Sequence, residues 1–493
     1  MSAPSFRDEL PRLLAGRFAA AGGRLLAVGG QVRDDRLAAL VGEPVRGGND
    51  VDLVAFGLDF GEISRLAAEL GPVRTVAHRL IKDRPAKTPA LIVFADGLSI
   101  SASRRLFGGL AAADPRATVE EDALARDFTV NALYWDPLTG DCLDPLGGLD
   151  DVRARRLEPC SPVSLTADPA RIIRAMGLVS RLGLTAGPKL LTAARGAWPF
   201  LSSIPSERLW PEWRKWALSR RPRAGLDFLK ESSALQFWPE LAALVGSPQH
   251  PRFHPEGDVW THTLLTVEAV GRLSPRPADD SRLTLTLTAL LHDVGKPEVT
   301  FLREDGMVVT RGHARAGRPL IRRFLKSVAA PTAIVRAVEV LAARHMDLSF
   351  RNLASANLRT LARKLAPLCD LEQFWALAAA DWNGRSPCPL RYPWTLEEFL
   401  SPVGGRKGPA ELPLDARRLM AALGLTGGPT VGRLMALIAA AVDDGTVTEA
   451  DEALALAASA LVEAAEPKAA ELEAAKLEAE QAKERERAMT LGF

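Results

Sequence analysis

An apolar, β-prone run over residues 25–28 breaks at Gly29-Gly30-Gln31-Val32-Arg33-Asp34, and a second such run over residues 51–56 opens with Asp50 and Asp52. The first run reads as a strand ending in a glycine turn. The second reads as a strand whose two acids share one face, because strand side chains repeat every two residues. Paired carboxylates beside backbone N–H groups that glycine leaves accessible suit one or two Mg²⁺ ions and a nucleotide triphosphate. Ordinary loops also carry this pattern, so alone it assigns no activity.

Three further segments follow in order: Glu121-Asp122-Ala-Leu-Ala-Arg126-Asp127-Phe128-Thr129-Val130-Asn131-Ala132, then Asp144-Pro-Leu-Gly147-Gly148-Leu-Asp150-Asp151, then Ala167-Asp168-Pro-Ala-Arg171-Ile-Ile-Arg174. With their spacing, the chain resembles the bacterial tRNA nucleotidyltransferase and poly(A) polymerase family. The resemblance implies an α+β fold: a polymerase-β-like nucleotidyltransferase head of mixed sheet and helices, followed by mostly all-α regions. It implies that Asp50 and Asp52 are catalytic and hold Mg²⁺, and that Gly29, Gly30 and Arg33 hold the triphosphate. Arg126, Asp127 and Asn131 would position ribose and phosphates. Asp168 and Arg171 would read the base edge, with Arg174 beside them in the nucleotide site.

The chain departs from the family pattern in three places. Ala125 stands where the first arginine of RRDFTxNA is expected, and Ala167 where EDxxR has its glutamate. In GLSISASRRLFGG, Ser99 takes the place of a third carboxylate five residues before Arg104, and Asp96 lies three residues upstream. Structural readings compete. Arg126 and Asp127 could form a simple salt bridge, and Asp168-Pro169 reads as a helix N-cap with proline at N1. Asp127 and Asn131 would share a helix face, although Phe128-Thr-Val fits a strand equally well.

Further along, the chain holds Asp258-Val-Trp260-Thr-His262, then His292-Asp293-Val-Gly295-Lys296, Gly312-His313, Arg344-His345 and Asp381. One histidine of this kind is usually a satisfied structural residue, but the whole set resembles the ligands of the HD phosphohydrolase family. The resemblance implies that His262, His292, Asp293 and Asp381 bind a divalent metal, with His313 and His345 serving a second ion or the phosphate. Imidazole with carboxylate suits Mn²⁺, Ni²⁺ or Fe²⁺, and a metal-bound hydroxide can attack a phosphate ester. Lys296 would lie near the scissile phosphate, or equally cap a helix. A nucleotidyltransferase head followed by an HD section is the arrangement of multifunctional bacterial CCA-adding enzymes, where the HD part can hydrolyse 2′,3′-cyclic phosphates. The resemblance covers most of residues 20–435, including a GLTGGPTVG segment that otherwise reads as a plain helix–turn–helix.

The organisation expected is a head over residues 1–150 with strands at 25–28, 51–56, 90–94 and 129–135, then a helical neck that binds nucleobase and RNA over 151–245. A helical HD domain over 246–400 and a helical C-terminal region over 401–493 follow, the last ending in an Ala/Glu/Lys-rich solvated helix or frayed tail. At 47% hydrophobic and 25% charged, 493 residues make ordinary globular domains. No apolar run reaches membrane-span length and the N-terminus lacks a signal core, so a cytoplasmic enzyme without a membrane partner is expected. Cys142, Cys160, Cys369 and Cys388 show no pairing motif.

A net charge of +2 is too small to announce nucleic-acid binding, so RNA contact would fall on local clusters. Arg153, Arg155 and Arg156, the run Trp213-Arg214-Lys215-Trp216, and Arg220, Arg221 and Arg223 are the candidates, each equally readable as a solvated helix face. The resemblance implies CTP and ATP as substrates and the 3′ ends of tRNA or other RNA as acceptor. The expected activity is template-independent CCA addition with an accessory phosphohydrolase. The alternatives are a poly(A) polymerase on the same scaffold, or an HD phosphohydrolase whose head has decayed into an RNA-binding module, for which Ser99, Ala125 and Ala167 are the evidence.

Overall fold

Val51-Asp-Leu-Val-Ala-Phe56 buries apolar side chains on both faces, which suits a strand inside a sheet rather than at its edge. A computed structural model of the chain, describing residues 6–42, 51–77, 90–94, 98–107, 109–273, 277–347, 354–385, 392–443 and 445–463, puts it there. The head sheet has the strands β1 (Arg24–Val28), β2 (Val51–Phe56), β3 (Val73–Ala77), β4 (Ala90–Phe94), β5 (Leu98–Ala102), β8 (Tyr134–Trp135) and β9 (Cys142–Leu143). A separate hairpin joins β6 (Arg104–Phe107) to β7 (Leu110–Ala113). The order is β3-β4-β5-β2-β1-β8-β9, parallel only between β2 and β5, so the sheet is mixed as expected.

The expected strand over 129–135 is too long. Thr129–Asn131 forms a 3₁₀ turn and only Tyr134–Trp135 pairs in the sheet. The cause is polar: Thr129 Oγ1 donates to Asp151 and Asn131 Nδ2 donates to Asp127, and these local bonds outcompete an extended ladder. The Gly29-Gly30 segment also differs from a simple turn. Gly29 has φ 91°, after which the chain enters helix α2 (Gly30–Val41) directly, so Gln31, Val32 and Arg33 lie in a helical first turn. Only glycine adopts that φ cheaply.

Helix α1 (Phe6–Ala20) precedes the sheet, and α3 (Phe60–Ala68), α4 (Val119–Ala125) and α5 (Gly148–Arg153) complete the head. Capping boxes start α3 at Asp59 and α4 at Thr118, so the chain signals these helices itself. The neck is helical as expected: α6 (Ser164–Ala167), α7 (Ala170–Leu182), α8 (Pro188–Ala197), α9 (Trp210–Ala217), α10 (Pro222–Glu231) and α11 (Pro239–Ala242). Beyond it lie α12 (Val259–Gly271), α13 (Asp279–Leu291), α14 (Lys296–Val299), α15 (His313–Ser327), α16 (Thr332–Arg344) and, later in the chain, α18 (Leu371–Asn383).

Trp213, the central member of the aromatic core, meets Trp216, Trp238 and Phe324 edge to face at 5.1–5.2 Å. Trp213 and Trp216 are both fully buried. This corrects their expected part in RNA contact: the indoles are worth more stacked in the core, and only Arg214 and Lys215 of that run face outward.

The chain divides into two compact units. One comprises Met1–Ser349 with Glu372–Thr395, and so contains the head, neck and HD helices. The other comprises Phe350–Leu371 with Leu396–Phe493. In this second unit, α17 (Ser355–Leu365), α19 (Leu396–Leu400), α20 (Ala416–Leu423) and α21 (Pro429–Asp443) are described, and Gly424 closes α20 in the left-handed conformation. The GLTGGPTVG segment is therefore a helix–turn–helix, whereas the Ala/Glu/Lys-rich tail from residue 464 lies outside the described residues, as does Cys388. Among the described residues no helix is long and apolar enough to cross a membrane.

Candidate functional site

In the head, the β1–β2 ladder pairs Val28 with Asp52, so the acid sits opposite the residue that enters the Gly29 bend. A Cβ on Gly29 would lie 3.4 Å from Asp52 Oδ2. The first-turn N–H groups of α2, which have no intrahelical acceptor, thus open beside an exposed carboxylate. Phosphates and their metal ions need this combination of donors for anionic oxygens and an acid for the cation. Asp50 and Asp96 lie outside the described residues. The parallel β2–β5 register sets Ser99 directly beside Asp52, and Ser99 Oγ donates to Asp52 Oδ1 at 2.7 Å. The serine expected in place of a third carboxylate thus offers Asp52 a hydrogen bond rather than a second charge.

Four of the expected nucleotide-binding residues, Arg33, Asn131, Asp127 and Arg174, spend polar atoms on one another. Arg33 is buried, donates Nε to Asp34 Oδ1 at 2.7 Å and Nη1 to Asn131 Oδ1 at 2.5 Å, and so braces α2 against the 3₁₀ turn rather than presenting a free fork. Asn131 passes the link to Asp127 Oδ1 at 3.1 Å, and Asp127 Oδ2 meets Arg174 Nε at 2.9 Å. Arg126 pairs with Asp122 at 2.8 Å, so the simple Arg126–Asp127 salt bridge does not form. Buried Asp122 also accepts from Tyr134 OH at 2.8 Å.

Burial would raise the Asp127 carboxyl, but Arg174 and Arg171 outweigh it and hold it at about 2. A depressed carboxyl stabilises the fold above its unfolded pKa and loses that contribution as pH falls towards 2. Arg174 is half exposed, so solvent screening trims the contribution to about 1–2 kcal/mol. Asp127→Asn keeps the shape but not the charge, and is expected to flatten the pH 2–5 limb of urea-unfolding stability. An unchanged limb would show that the Asp127 charge adds nothing.

The base-reading candidates are differently placed. Arg171 donates Nη1 to the Arg126 carbonyl at 2.8 Å and to Ser164 Oγ at 2.7 Å, and Nη2 to the Ala125 carbonyl at 3.0 Å. Its guanidinium ties α7 to the loop that carries Asp127. The Asp168 side chain does not cap α7, which corrects the N-cap reading. It forms a two-pronged pair with Arg208, at 3.0 and 2.8 Å, because a charge-assisted fork is stronger than a bond to a neutral amide. The cap position of α7 falls to Pro169.

In the HD section, Asp258 caps α12 and sets His262 one turn in; His292 and Asp293 follow the last turn of α13; His313 opens α15; His345 ends α16; Asp381 lies on α18. Gly295 lets these elements close up, since a Cβ there would lie 2.3 Å from the His313 carbonyl. All six residues are buried. His262 Nε2 lies 2.8 Å from Asp381 Oδ1 and 3.8 Å from Asp293 Oδ2, and His292 Nε2 lies 3.2 Å from Asp293 Oδ2. The other oxygen, Asp293 Oδ1, faces His313 Nε2 at 3.3 Å and His345 Nε2 at 3.8 Å. Lys296 Nζ reaches Asp293 Oδ2 and Gln249 Oε1, both at 2.6 Å, which places it in the cluster.

This donor set fits divalent metal ions. His292 Nε2 and Asp293 Oδ1 are buried without a hydrogen-bond partner, a costly state that a cation would relieve. Burial would raise both Asp293 and Asp381, yet His292 and Lys296 hold the first, and His262 the second, well below the carboxylate range. Burial and neighbouring His292 push His345 down to about 4, leaving it the neutral imidazole a metal requires. His262 is opposite: burial lowers it, but Asp381 and Glu256 prevail and raise it to about 9. A cation at Nε2 would take that proton's place.

Sequence reasoning missed four partners. His254 and Glu256 stand against His262, and their signal was available in His254-Pro-Glu256, six residues before it. Gln249 and Arg208 carry no local signal, because only their distant partners reveal them.

Residues 25–158 match the Poly A polymerase head domain family and residues 259–378 match the HD domain family. Both families are metal-dependent. The multifunctional CCA protein of Xanthomonas axonopodis pv. citri (strain 306) is 31% identical over 443 residues, 86% of this chain and 100% of that protein. The multifunctional CCA protein of Xanthomonas campestris pv. campestris (strain B100) is 34% identical over 279 residues, 55% of this chain, so the chain spans 63% of that relative's length. Among solved structures, the Bacillus stearothermophilus CCA-adding enzyme in complex with CTP covers 94% of this chain and 100% of its own at a TM-score of 0.60 and 20% identity. The Thermotoga maritima CCA-adding enzyme complexed with tRNA covers 93% and 97% at 0.55 and 17%. At these identities the likeness is one of fold.

Proposed function

Because the chain belongs to the multifunctional CCA protein family, we propose that its head adds CMP and AMP to tRNA 3′ ends by nucleotidyl transfer, while its HD section hydrolyses phosphate esters. The observation that carries the first half is the Gly29 bend opening the N-terminus of α2 beside Asp52. Asp50 and Asp52 would hold Mg²⁺, which lowers the barrier to attack by the primer 3′-hydroxyl and neutralises charge on the departing pyrophosphate. The N–H groups at the start of α2 orient the triphosphate. The chain from Arg33 through Asn131 and Asp127 to Arg174 fixes the floor on which the nucleotide lies, and with Arg126 it forms the nucleotide site. Domains at 1–150, 151–245, 246–400 and 401–493 and a cytoplasmic setting complete the reading.

Asp168 would read the base edge, with Arg171 holding the loop beneath it and Arg208 taking over the orienting task that Ala167 has lost. A bidentate contact to a base edge discriminates by about 1–3 kcal/mol. Arg208→Ala, which frees the Asp168 carboxylate, is therefore expected to relax the CTP-to-ATP ratio of kcat/KM about tenfold, and Asp168→Ala at least as much. An unchanged ratio in both variants would remove base reading from this helix.

In the HD section, His262, His292, Asp293 and Asp381 would hold one divalent ion, with Mn²⁺ or Ni²⁺ the best match to the mixed donors. His313 and His345, facing the second oxygen of Asp293, would hold another or the phosphate, and Lys296 would steady Asp293. Bound metal supplies a hydroxide at neutral pH and these residues aim it.

Labelled CTP and ATP, given separately and together to tRNA transcripts ending before CCA, after CC, or in unrelated sequence, test the whole. Ordered addition stopping at CCA supports the proposal. Long A-runs on any RNA would replace it with poly(A) synthesis. Ser99, standing where a carboxylate is expected, favours a second reading in which the head binds RNA without catalysis. Absence of incorporation where a phosphodiester is still hydrolysed would decide for that reading.

A further inference from the structure

A histidine binds metal through a nitrogen lone pair, so its other nitrogen must carry the proton, and whatever accepts that proton sets the tautomer and ring orientation. Around the HD cluster the backbone does this twice. His292 Nδ1 lies 3.0 Å from the Ala289 carbonyl and His345 Nδ1 lies 2.6 Å from the Ala342 carbonyl, each three residues back on its own helix, which leaves Nε2 for the cluster. His262 sits one turn into α12, where the carbonyl three residues back is already committed to the helical ladder. Its Nδ1, buried and outside hydrogen-bond alignment with any group, has Glu256 Oε1 as its ion-pair neighbour at 2.7 Å. The same oxygen lies 2.9 Å from His254 Nδ1, and the His254 ring stands edge-on to His262 at 4.7 Å.

We infer that Glu256 is a positioning residue of the HD metal centre, holding His262 so that Nε2 faces Asp381 and Asp293, with His254 bracing the same carboxylate oxygen. The inference rests on the metal reading proposed above. The Glu256 side chain is 1% exposed and its Oε2 is buried without a hydrogen-bond partner. A carboxylate is therefore kept dry at the cost of desolvation, and nothing in the α12 fold requires it, since Asp258 is the residue that caps that helix. The two histidines give the burial its purpose. Near a cation, a carboxylate on Nδ1 also makes the imidazole a better donor, and loss of such a partner weakens metal binding 10–100-fold.

The test uses the full-length protein, with Mn²⁺ affinity measured by chelator competition. Glu256→Leu keeps the volume and removes the acceptor, and is expected to weaken Mn²⁺ binding 10–100-fold. Glu256→Gln keeps an acceptor oxygen and is expected to stay within about threefold of the wild type, a rescue that a packing role would not predict. Glu256→Asp, whose carboxylate falls one methylene short, is expected to lose more than Glu256→Gln. Unchanged CMP incorporation by the head checks that each variant is folded. Wild-type affinity in Glu256→Leu, or in Glu256→Asp where the leucine variant does not fold, overturns the inference, as does equal loss in the leucine and glutamine variants. Wild-type protein that binds no more Mn²⁺ than His292→Ala overturns the metal reading itself and this inference with it.

Discussion

Asp52→Ala is expected to lower CMP incorporation into a tRNA transcript ending before CCA by at least about a thousandfold, or about 4 kcal/mol of transition-state stabilisation. The expectation follows from position. Asp52 is the acid that the antiparallel β1–β2 ladder sets opposite the entrance to the Gly29 bend, and its carboxylate is exposed beside that bend. The side chain adds nothing to the apolar core, so its removal should leave the fold intact. Ser99, one hydrogen bond away, cannot substitute, because a hydroxyl carries no charge to hold a cation. Single-turnover incorporation, with phosphodiester hydrolysis by the HD section measured on the same preparation, checks it. Incorporation within tenfold of the wild type would mean that Asp52 is not a metal ligand.

Asp293→Asn is expected to strip the HD section of bound metal and to reduce its phosphodiester hydrolysis by about a thousandfold or more, with nucleotidyl transfer unchanged. Asp293 is the residue to change because its two oxygens address different histidines, Oδ2 facing His292 and His262 and Oδ1 facing His313 and His345. The amide keeps the volume, and Lys296 retains Gln249 as an acceptor, so the variant avoids leaving a buried ammonium alone. Elemental analysis after loading with Mn²⁺ and gel filtration gives the metal content, and His292→Ala serves as the companion variant. Equal metal in the variants and the wild type would sink the assignment of this cluster.

Much of the site was legible because its signals are short-range. The glycine break and Asp52 fall within one strand–helix–strand unit, and the helix that carries Arg171 and begins two residues after Asp168 announces itself by apolar spacing in Ile172-Ile-Arg-Ala-Met-Gly-Leu-Val-Ser-Arg-Leu. The histidines and aspartates of the HD section were legible as types in order. Their roles within each cluster were not. The resemblance puts Arg33 on the triphosphate, and only the fold shows its guanidinium braced on Asn131, 98 residues away. Trp213 and Trp216 sat among basic residues in sequence, yet helix periodicity turned the indoles inward and the charges outward.

The sequence by itself determined what lies within a few residues: which stretches are strands or helices, where φ must be positive, and which acids and imidazoles exist to do chemistry. Tertiary structure alone decided what those groups touch. The parallel β2–β5 register put Ser99 against Asp52 across 47 residues, and the packing of the neck gave Asp168 to Arg208 across 40. Five helices brought four histidines and two aspartates to one point. The physical reason is range. Backbone propensity and side-chain periodicity act over a turn or two, whereas hydrogen bonds, ion pairs and ligand sets act over 3–4 Å between residues that only a folded core brings that close.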